Sequence, residues 1–493
     1  MPRPLSGLRT LLCSCSRCAT SGCRSRAMND LVMLIPELIL SGMSLVLLLV
    51  ARRIQRTRLA AAATVLAALA AALASMWILS QGRNIAFGGM LVLDGYSQFF
   101  KVLIAATLAL AALLSVRSLE GIPHGEYHAL LLLAATGMML AVSANDLLSL
   151  YLSLELMTLC SYILVGIRVE IPTSNEAAIK YFLLGSFASA LLIYGISLTY
   201  GVTGTTDFRA VASALSGHGP GTNVLLLVAI GSVAAGLAFK IAAVPLHSWA
   251  PDAYQGASTP VAAFLAAGSK SVGLAALGRV CLAAYGSEAQ VLSVLLTGLA
   301  GLSIIVGSVI ALSQTDMKRM LAYSSISHAG YALLGLIAGT CAAASATMTY
   351  AFFYVFMTLG AFGVVVALGD RGEKLEGYRG LAAQRPGTAV LMLVFLMSLT
   401  GIPPTAGFAA KFYVILSVVR AGHIALAVLA VACSVVSAFF YMRVAVLMYM
   451  NEADEPAPSR FPAPVFAALA VAALVTVIGG IAPGTLAAWA VSP

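Results

Sequence analysis

The sequence predicts an all-α polytopic membrane protein of about 14 transmembrane helices, and three observations lead there. Apolar residues make up 60% of the 493 positions, where soluble proteins carry roughly 45–50%. Asp, Glu, Lys and Arg together reach only 10%, against roughly 25%. Apolar runs of about 20 residues, the length that spans a hydrocarbon core, recur to the end of the chain. The 44 glycines are spread through these runs, as expected where helices must approach closely in lipid. This composition excludes a disordered chain, a disulfide scaffold and a soluble enzyme. The net charge of +9 does not mark a nucleic-acid binder, because Arg3, Arg9, Arg17, Arg24 and Arg26 supply five of the charges and the remaining 23 basic groups face 19 acidic ones.

In chain order the spans run near 31–51, 59–80, 97–116, 128–143, 146–167, 176–201 and 223–243, then 259–284, 289–313, 320–340, 343–369, 387–419, 424–449 and 463–488. Charged connections separate them. Arg52 to Arg58 divides the first span from the second, Arg83 the second from the third, and Arg117 the third from the fourth. Arg168, Arg209, Lys318 with Arg319, Arg371 to Arg385, Arg420 and Arg460 mark later connections. Lys and Arg are retained on the cytoplasmic side. One set of alternate loops carries 15 of them and the other only Arg83, Arg209, Arg279 and Arg420. The chain is therefore expected to have Arg52 to Arg58 inside and both termini outside.

Residues 1–27 are Arg- and Ser-rich, contain no acid, and hold Cys13, Cys15, Cys18 and Cys23. No His or apolar framework surrounds these thiols as a metal site would need, and five arginines would lie on the wrong side of the membrane. They are read as a processed or non-native extension, with the membrane domain covering 28–493.

Two spans are interrupted. The seventh runs into Val244-Pro245-Leu246-His247-Ser248-Trp249-Ala250-Pro251, and the twelfth is split by Gly401-Ile402-Pro403-Pro404. Broken helices in lipid require protein or a wet cavity around the freed backbone. Two breaks five spans apart, each beside a Gly-x3-Lys pattern (Gly236 to Lys240, Gly407 to Lys411), predict inverted five-helix repeats of transporter type over about 128–284 and 289–449.

Ionisable groups inside these spans are functional hypotheses in themselves, since each is costly in hydrocarbon. Glu155 lies nine residues beyond Asp146, roughly 15 Å into its helix. Lys240 precedes the first break, Lys270 sits in Ala267-Gly268-Ser269-Lys270-Ser271, and Lys411 follows the second break. Proton transfer is the chemistry that wants such a row, because moving a carboxylate loads or unloads a buried lysine. Charges about 4 Å apart interact by about 4 kcal/mol at an effective dielectric of 20, close to the work of moving one charge against roughly 170 mV. Inert ion pairs fixing helix register are the competing reading. It fits Lys270 and Lys411 poorly, since neither has an acid in its own helix.

Lys180 follows Glu176 by four residues, so a surface i,i+4 pair competes with a relay role. His247 and His328 either carry protons or hydrogen-bond freed backbone. Lys101, Arg279 and Arg443 are expected to snorkel from helix ends. No iron–sulfur spacing follows residue 27, no glycine-rich dinucleotide loop follows a strand, and Gly217 to Gly221 reads as a turn. The chain is expected to move protons or ions and not to carry electrons.

Several stretches resemble the antiporter-like membrane subunits of NADH-quinone oxidoreductase, respiratory complex I, and among these subunit N, the counterpart of mitochondrial subunit 2. They are Pro36-Glu37-Leu38-Ile39-Leu40, Ser153-Leu154-Glu155-Leu156, Ala178-Ile179-Lys180-Tyr181-Phe182-Leu183-Leu184-Gly185-Ser186, Val244 to Asp252, Gly268-Ser269-Lys270, Tyr323 to His328 and Gly401 to Phe408. The resemblance runs from about Met28 to the end. It implies that Glu155 and Lys240 form the charge pair of an input half-channel, that Lys270 is a central relay and Lys411 an output lysine, and that His247 and His328 connect them. It further implies proton translocation driven by quinone reduction in neighbouring membrane subunits. NADH, FMN, iron–sulfur clusters and quinone are then expected in those subunits, none in this one, and the location is a bacterial plasma membrane. One departure is Gly256-Ala257-Ser258-Thr259-Pro260, where the family usually has proline in the middle. A sodium/proton antiporter or membrane-bound hydrogenase subunit shares the charged row, and a passive scaffold is the remaining alternative.

Overall fold

The computed structural model describes residues 30–51, 57–117, 122–216, 223–453 and 462–484. The extension at 1–27, its cysteines, Arg52, Arg53, Arg56, Arg460 and the turn at Gly217 to Gly221 lie outside the described residues.

The described chain is mostly helical. It opens with α1 (Ile35–Val50) and α2 (Thr57–Ser80), then a small antiparallel hairpin of β1 (Asn84–Ala86) and β2 (Leu91–Leu93) in which Ile85 pairs with Val92. Next come α3 (Gly95–Ser115), α4 (His124–Ser143), α5 (Leu147–Val165), α6 (Pro172–Thr203), the short α7 (Phe208–Leu215) and α8 (Val224–Lys240). After the first interruption follow α9 (Trp249–Gly256) and α10 (Thr259–Ala284), which includes π-helical turns at Leu265–Ser269 and Val280–Ala284. The chain continues through α11 (Ala289–Ala311), α12 (Met317–Ile337), α13 (Cys341–Leu368), α14 (Pro386–Thr400), α15 (Ala406–Arg420), α16 (Ile424–Met450) and α17 (Ala463–Ile481). Eleven of the described helices are long and apolar enough to cross a membrane, and three more, α1, α8 and α14, are shorter and apolar.

Local chemistry sets several helix starts. Carboxylate, amide or hydroxyl side chains of Asp94, Asp146, Asp207, Asn223, Asp316 and Thr340 accept from the free N–H groups of the first turns of α3, α5, α7, α8, α12 and α13, which would otherwise go unpaired. Proline opens α6, α10, α14 and α17, where its missing N–H costs nothing. Burial grades inward: α10, α12 and α13 are almost wholly enclosed, whereas α2, α6, α16 and α17 turn broad Leu, Val and Phe faces outward. An apolar exterior around a polar-dotted centre is the arrangement a bilayer imposes.

Three of the sequence expectations about outlying charges are corrected here. Lys101 does not snorkel: it is fully enclosed and meets Glu37 of α1 at 2.7 Å. Arg279 is held by two hydrogen bonds to Asp94, at 2.8 and 3.0 Å, with its guanidinium over the Tyr96 ring. Arg443 donates to the carbonyls of Leu312 and Gln314 and so closes the end of α11. A long cation near a helix end extends to water only when no partner of opposite charge or free carbonyl lies nearer.

Candidate functional site, a buried row of lysines

Glu155 sits two turns into α5, and Lys240 is the last residue of α8. The ammonium is 3.4 Å from Glu155 Oε1 and donates to Thr158 Oγ1 at 2.7 Å, one turn further along α5. The Ser189 hydroxyl of α6 donates to the same carboxylate oxygen. The lysine side chain is 2% exposed and the glutamate 21%. The pair is thus open at its acidic end and closed at its basic end.

The first break carries its own solution for freed backbone. Ala242 takes φ 56°; the Trp249 indole donates to the Phe239 carbonyl at 3.0 Å, and the Val244 N–H donates to Ser303 Oγ at 2.9 Å. Every such group left bare in an apolar interior would cost about 1–3 kcal/mol. His247 lies in this break, partly exposed, with Nδ1 3.2 Å from the Pro245 carbonyl.

Lys270 follows the first π-helical turn of α10. Such turns widen a helix by one residue and often mark functional positions. Its ammonium, 1% exposed, donates to Ser325 Oγ of α12 at 2.6 Å and lies 5.9 Å from the centre of the Tyr254 ring. The backbone of α10 comes close to the preceding lysine: a Cβ at Gly273 would lie 3.3 Å from Lys240 Cβ and 2.6 Å from an Ile241 methyl. A larger residue there would push the two lysine-bearing helices apart.

His328 stands one turn beyond Ser325 on α12, with Nδ1 2.6 Å from the Tyr350 hydroxyl and Nε2 3.5 Å from that of Tyr441. A further turn along, Tyr331 presents its ring face 4.6 Å from the Lys411 ammonium. Lys411 donates to the Thr400 carbonyl at 2.8 Å and to Ser434 Oγ at 2.9 Å. Thr400 is the last residue of α14, so its carbonyl is one that the second break sets free. Gly401 serves twice: it adopts φ 89°, and a Cβ there would lie 2.9 Å from Lys411 Cδ.

Ser325, His328 and Tyr331 therefore share one face of α12 between Lys270 and Lys411. Hydroxyls and a ring nitrogen along that face can each accept and donate a proton. Among the described residues neither lysine has an ion-pair partner, whereas Lys101, Lys240 and Lys318 each have one and Lys180 has two. No group of three or more His, Cys, Asp or Glu among the described residues is placed to hold a metal ion.

Lys180 stands apart from the row. Its side chain is 47% exposed and meets Glu176 at 2.7 Å and Asp252 of α9 at 3.1 Å. Asp252 is shared with Arg319 of α12 at 2.6 Å, and these groups line an open polar cavity of about 420 Å³ with Gln255, Asp316 and Glu373. Beside it, Lys318, 1% exposed, pairs with Glu373 at 2.7 Å and donates to the Ala257 carbonyl at 3.2 Å. The loop that lacks the family's middle proline is thus tied to α12 by a lysine. Sequence reasoning did not anticipate these cross-helix pairs, nor Glu37 with Lys101. For the latter a signal existed, a lysine several residues inside an apolar span with a glutamate at the start of another.

The profile of the family described as NADH:quinone oxidoreductase/Mrp antiporter, TM, matches residues 144–437, which include the whole row. NADH-quinone oxidoreductase subunit N 2 of Rhizobium meliloti is 44% identical over 463 residues, covering 92% of this chain and 95% of the relative. Subunit N of Desulfovibrio desulfuricans is also 44% identical, with 93% and 96% covered. Among solved structures, a chain of respiratory complex I from Thermus thermophilus superposes with a TM-score of 0.81 at 34% identity, over 93% of this chain and 100% of that one. A chain of the Mrp complex from Dietzia superposes with a TM-score of 0.83 at 22% identity, over 94% and 96%, a likeness of fold alone. With a charged row on interrupted helices, and relatives this similar along nearly their whole length, the chain belongs to the subunit N family of NADH-quinone oxidoreductases.

Proposed function

We propose that this chain is the proton-translocating membrane subunit of an NADH-quinone oxidoreductase, and that protons pass along Glu155, Lys240, Lys270 and Lys411. The observation that carries the reading is the state of Lys270 and Lys411: both buried, each held by oxygens of hydroxyls or a carbonyl, and neither with a carboxylate among the described residues. A register-fixing ion pair needs two charges, and these sites supply one. His328 bridges the stretch between them on α12, and His247 stands at the first break. Lys180 is assigned to the polar cavity at the end of α6, where with Asp252 and Arg319 it orients α9 and hence the break next to Lys240.

In this reading α8 with α9, and α14 with α15, each form one broken crossing, which makes fourteen crossings in all. Two five-helix units, each containing one break, repeat with inverted topology over about 128–284 and 289–449, and both termini face outward. The chain sits in a bacterial plasma membrane beside other antiporter-like and small membrane subunits. NADH, FMN, iron–sulfur clusters and quinone belong to the partners that carry electrons. Redox energy reaches this chain by shifting the position of one charge in the row, which changes the proton affinity of the next.

The test is NADH-driven proton uptake measured with quinone reduction in vesicles carrying Lys240→Met, after assembly is checked on a native gel. Pumping and turnover fall while the complex remains assembled if Lys240 lies in the coupled path. Wild-type values in both would make the pair structural and overturn the proposal.

A further inference from the structure

The first three helices hold an ion pair that the row does not use. Glu37 lies in the first turn of α1 and Lys101 in the second turn of α3; Nζ and Oε1 are 2.7 Å apart, and the residues are 3% and 0% exposed. The two atoms touch without the alignment of a hydrogen bond, and Glu37 Oε2 has no hydrogen-bond partner among the described residues either. Three residues before Lys101, Gln98 is 1% exposed and neither polar atom of its amide has a partner among the described residues. An ion pair taken out of water recovers its desolvation cost only when further hydrogen bonds complete both shells, and the described residues supply none here.

The same face of α3 continues toward the surface. Asp94, Gln98 and Lys101 follow at i, i+4 and i+7, within about 60° of one another around the helix and about 10 Å along it. Asp94 caps the helix with a side chain 22% exposed, gripped by Arg279. A polar stripe thus leads from a carboxylate that reaches the surface to a pair that does not.

We propose that Glu37, Gln98 and Lys101 form a water-binding, proton-holding site, reached along this stripe and built on helices that carry none of the Glu155–Lys411 row. Water is the ligand whose chemistry fits, because an unpaired amide needs a donor and an acceptor at once, and the carboxylate and ammonium need opposite ones. A cation would face the Lys101 ammonium and an anion the Glu37 carboxylate. With the shells completed by water, one proton has two resting places. An Nζ–H bond breaks and an Oε–H bond forms, turning the ion pair into a neutral amine and acid, and no net charge leaves the site. Water can then deliver or remove a proton by way of Gln98.

This inference rests on the proton-translocating role proposed above, and the experiment separates the two. Proton uptake per NADH oxidised is measured in proteoliposomes of the complete oxidoreductase carrying Glu37→Leu with Lys101→Met, Gln98→Leu, or Lys240→Met. Replacing both charges by apolar residues of similar volume preserves a merely structural contact. The double variant is expected to assemble and to lose proton uptake per NADH, and Gln98→Leu, which leaves the pair in place, to lose part of it. Wild-type uptake in the assembled double variant overturns the proposal. Should the double variant not assemble, Gln98→Leu decides alone: a loss supports the site and a wild-type ratio overturns it. Wild-type uptake in Lys240→Met instead overturns the role of the main row, whatever the other variants show.

Discussion

Replacing Glu155 by Gln removes the only carboxylate that meets Lys240 among the described residues. At the observed 3.4 Å, two unit charges interact by about 5 kcal/mol at an effective dielectric of 20. The 21% exposure of the glutamate makes that an upper value. The neutral variant keeps the shape and the Ser189 contact but forfeits most of this energy, so proton transfer at Lys240 is expected to slow by about 10- to 1,000-fold. Glu155→Asp offers a graded check. Shortening the side chain by one methylene withdraws the charge by about 1.5 Å and reduces the interaction by about 1.5 kcal/mol, which is about tenfold. The assay is NADH-driven proton uptake and NADH oxidation in vesicles, with assembly confirmed. The order wild type, Asp, Gln is expected in uptake rate. Wild-type uptake in an assembled Glu155→Gln complex would refute the argument, because a charge whose removal changes nothing cannot be loading a lysine.

Two further outcomes follow from geometry elsewhere. Gly401→Ala places a Cβ 2.9 Å from Lys411 Cδ at a residue with φ 89°; the backbone conformation alone costs about 1–2 kcal/mol, and the displaced ammonium loses its Thr400 carbonyl. Reduced proton uptake with a lower melting temperature is expected, and an unchanged value of both would show that Lys411 is not constrained there. Asp94 lies before α3, and its carboxyl is held below the usual value of 3.8: burial pushes it up, but the Arg279 charge and hydrogen bond, with Ser97, pull it down further. A carboxyl lowered on folding stabilises fully above its unfolded pKa and loses that contribution as pH falls through the folded one. Melting of the purified chain in detergent should therefore show wild type more stable than Asp94→Asn at neutral pH, with the gap closing below about pH 4. A gap independent of pH would refute the assignment.

Much of the row was legible because hydrocarbon makes ionisable residues conspicuous. Glu155, Lys240, Lys270 and Lys411 stand out in apolar runs, and the two breaks stand out by proline and glycine. Depth along a helix follows from counting residues, so the sequence could place Glu155 well inside α5. It could not say which polar neighbours complete each site. Thr158, Ser325, Ser434 and the Thr400 carbonyl come from turns or helices distant in sequence, and ordinary hydroxyl residues carry no signal of partnership. The hairpin β1–β2 and the short α7 were missed for a related reason: they are brief connections without a long apolar period.

The outlying cations show the division most clearly. Composition and hydropathy determined by themselves that this is a multi-helical membrane protein and which ionisable residues stand in apolar runs, since the cost of charge in lipid is a property of the residue. Whether a given lysine extends to water, as Lys101 was expected to do, or turns inward to Glu37, was decided only by the tertiary structure. That choice depends on what a helix 64 residues earlier in the chain brings within 3 Å, and an electrostatic interaction falls with distance through space, not with separation along the sequence.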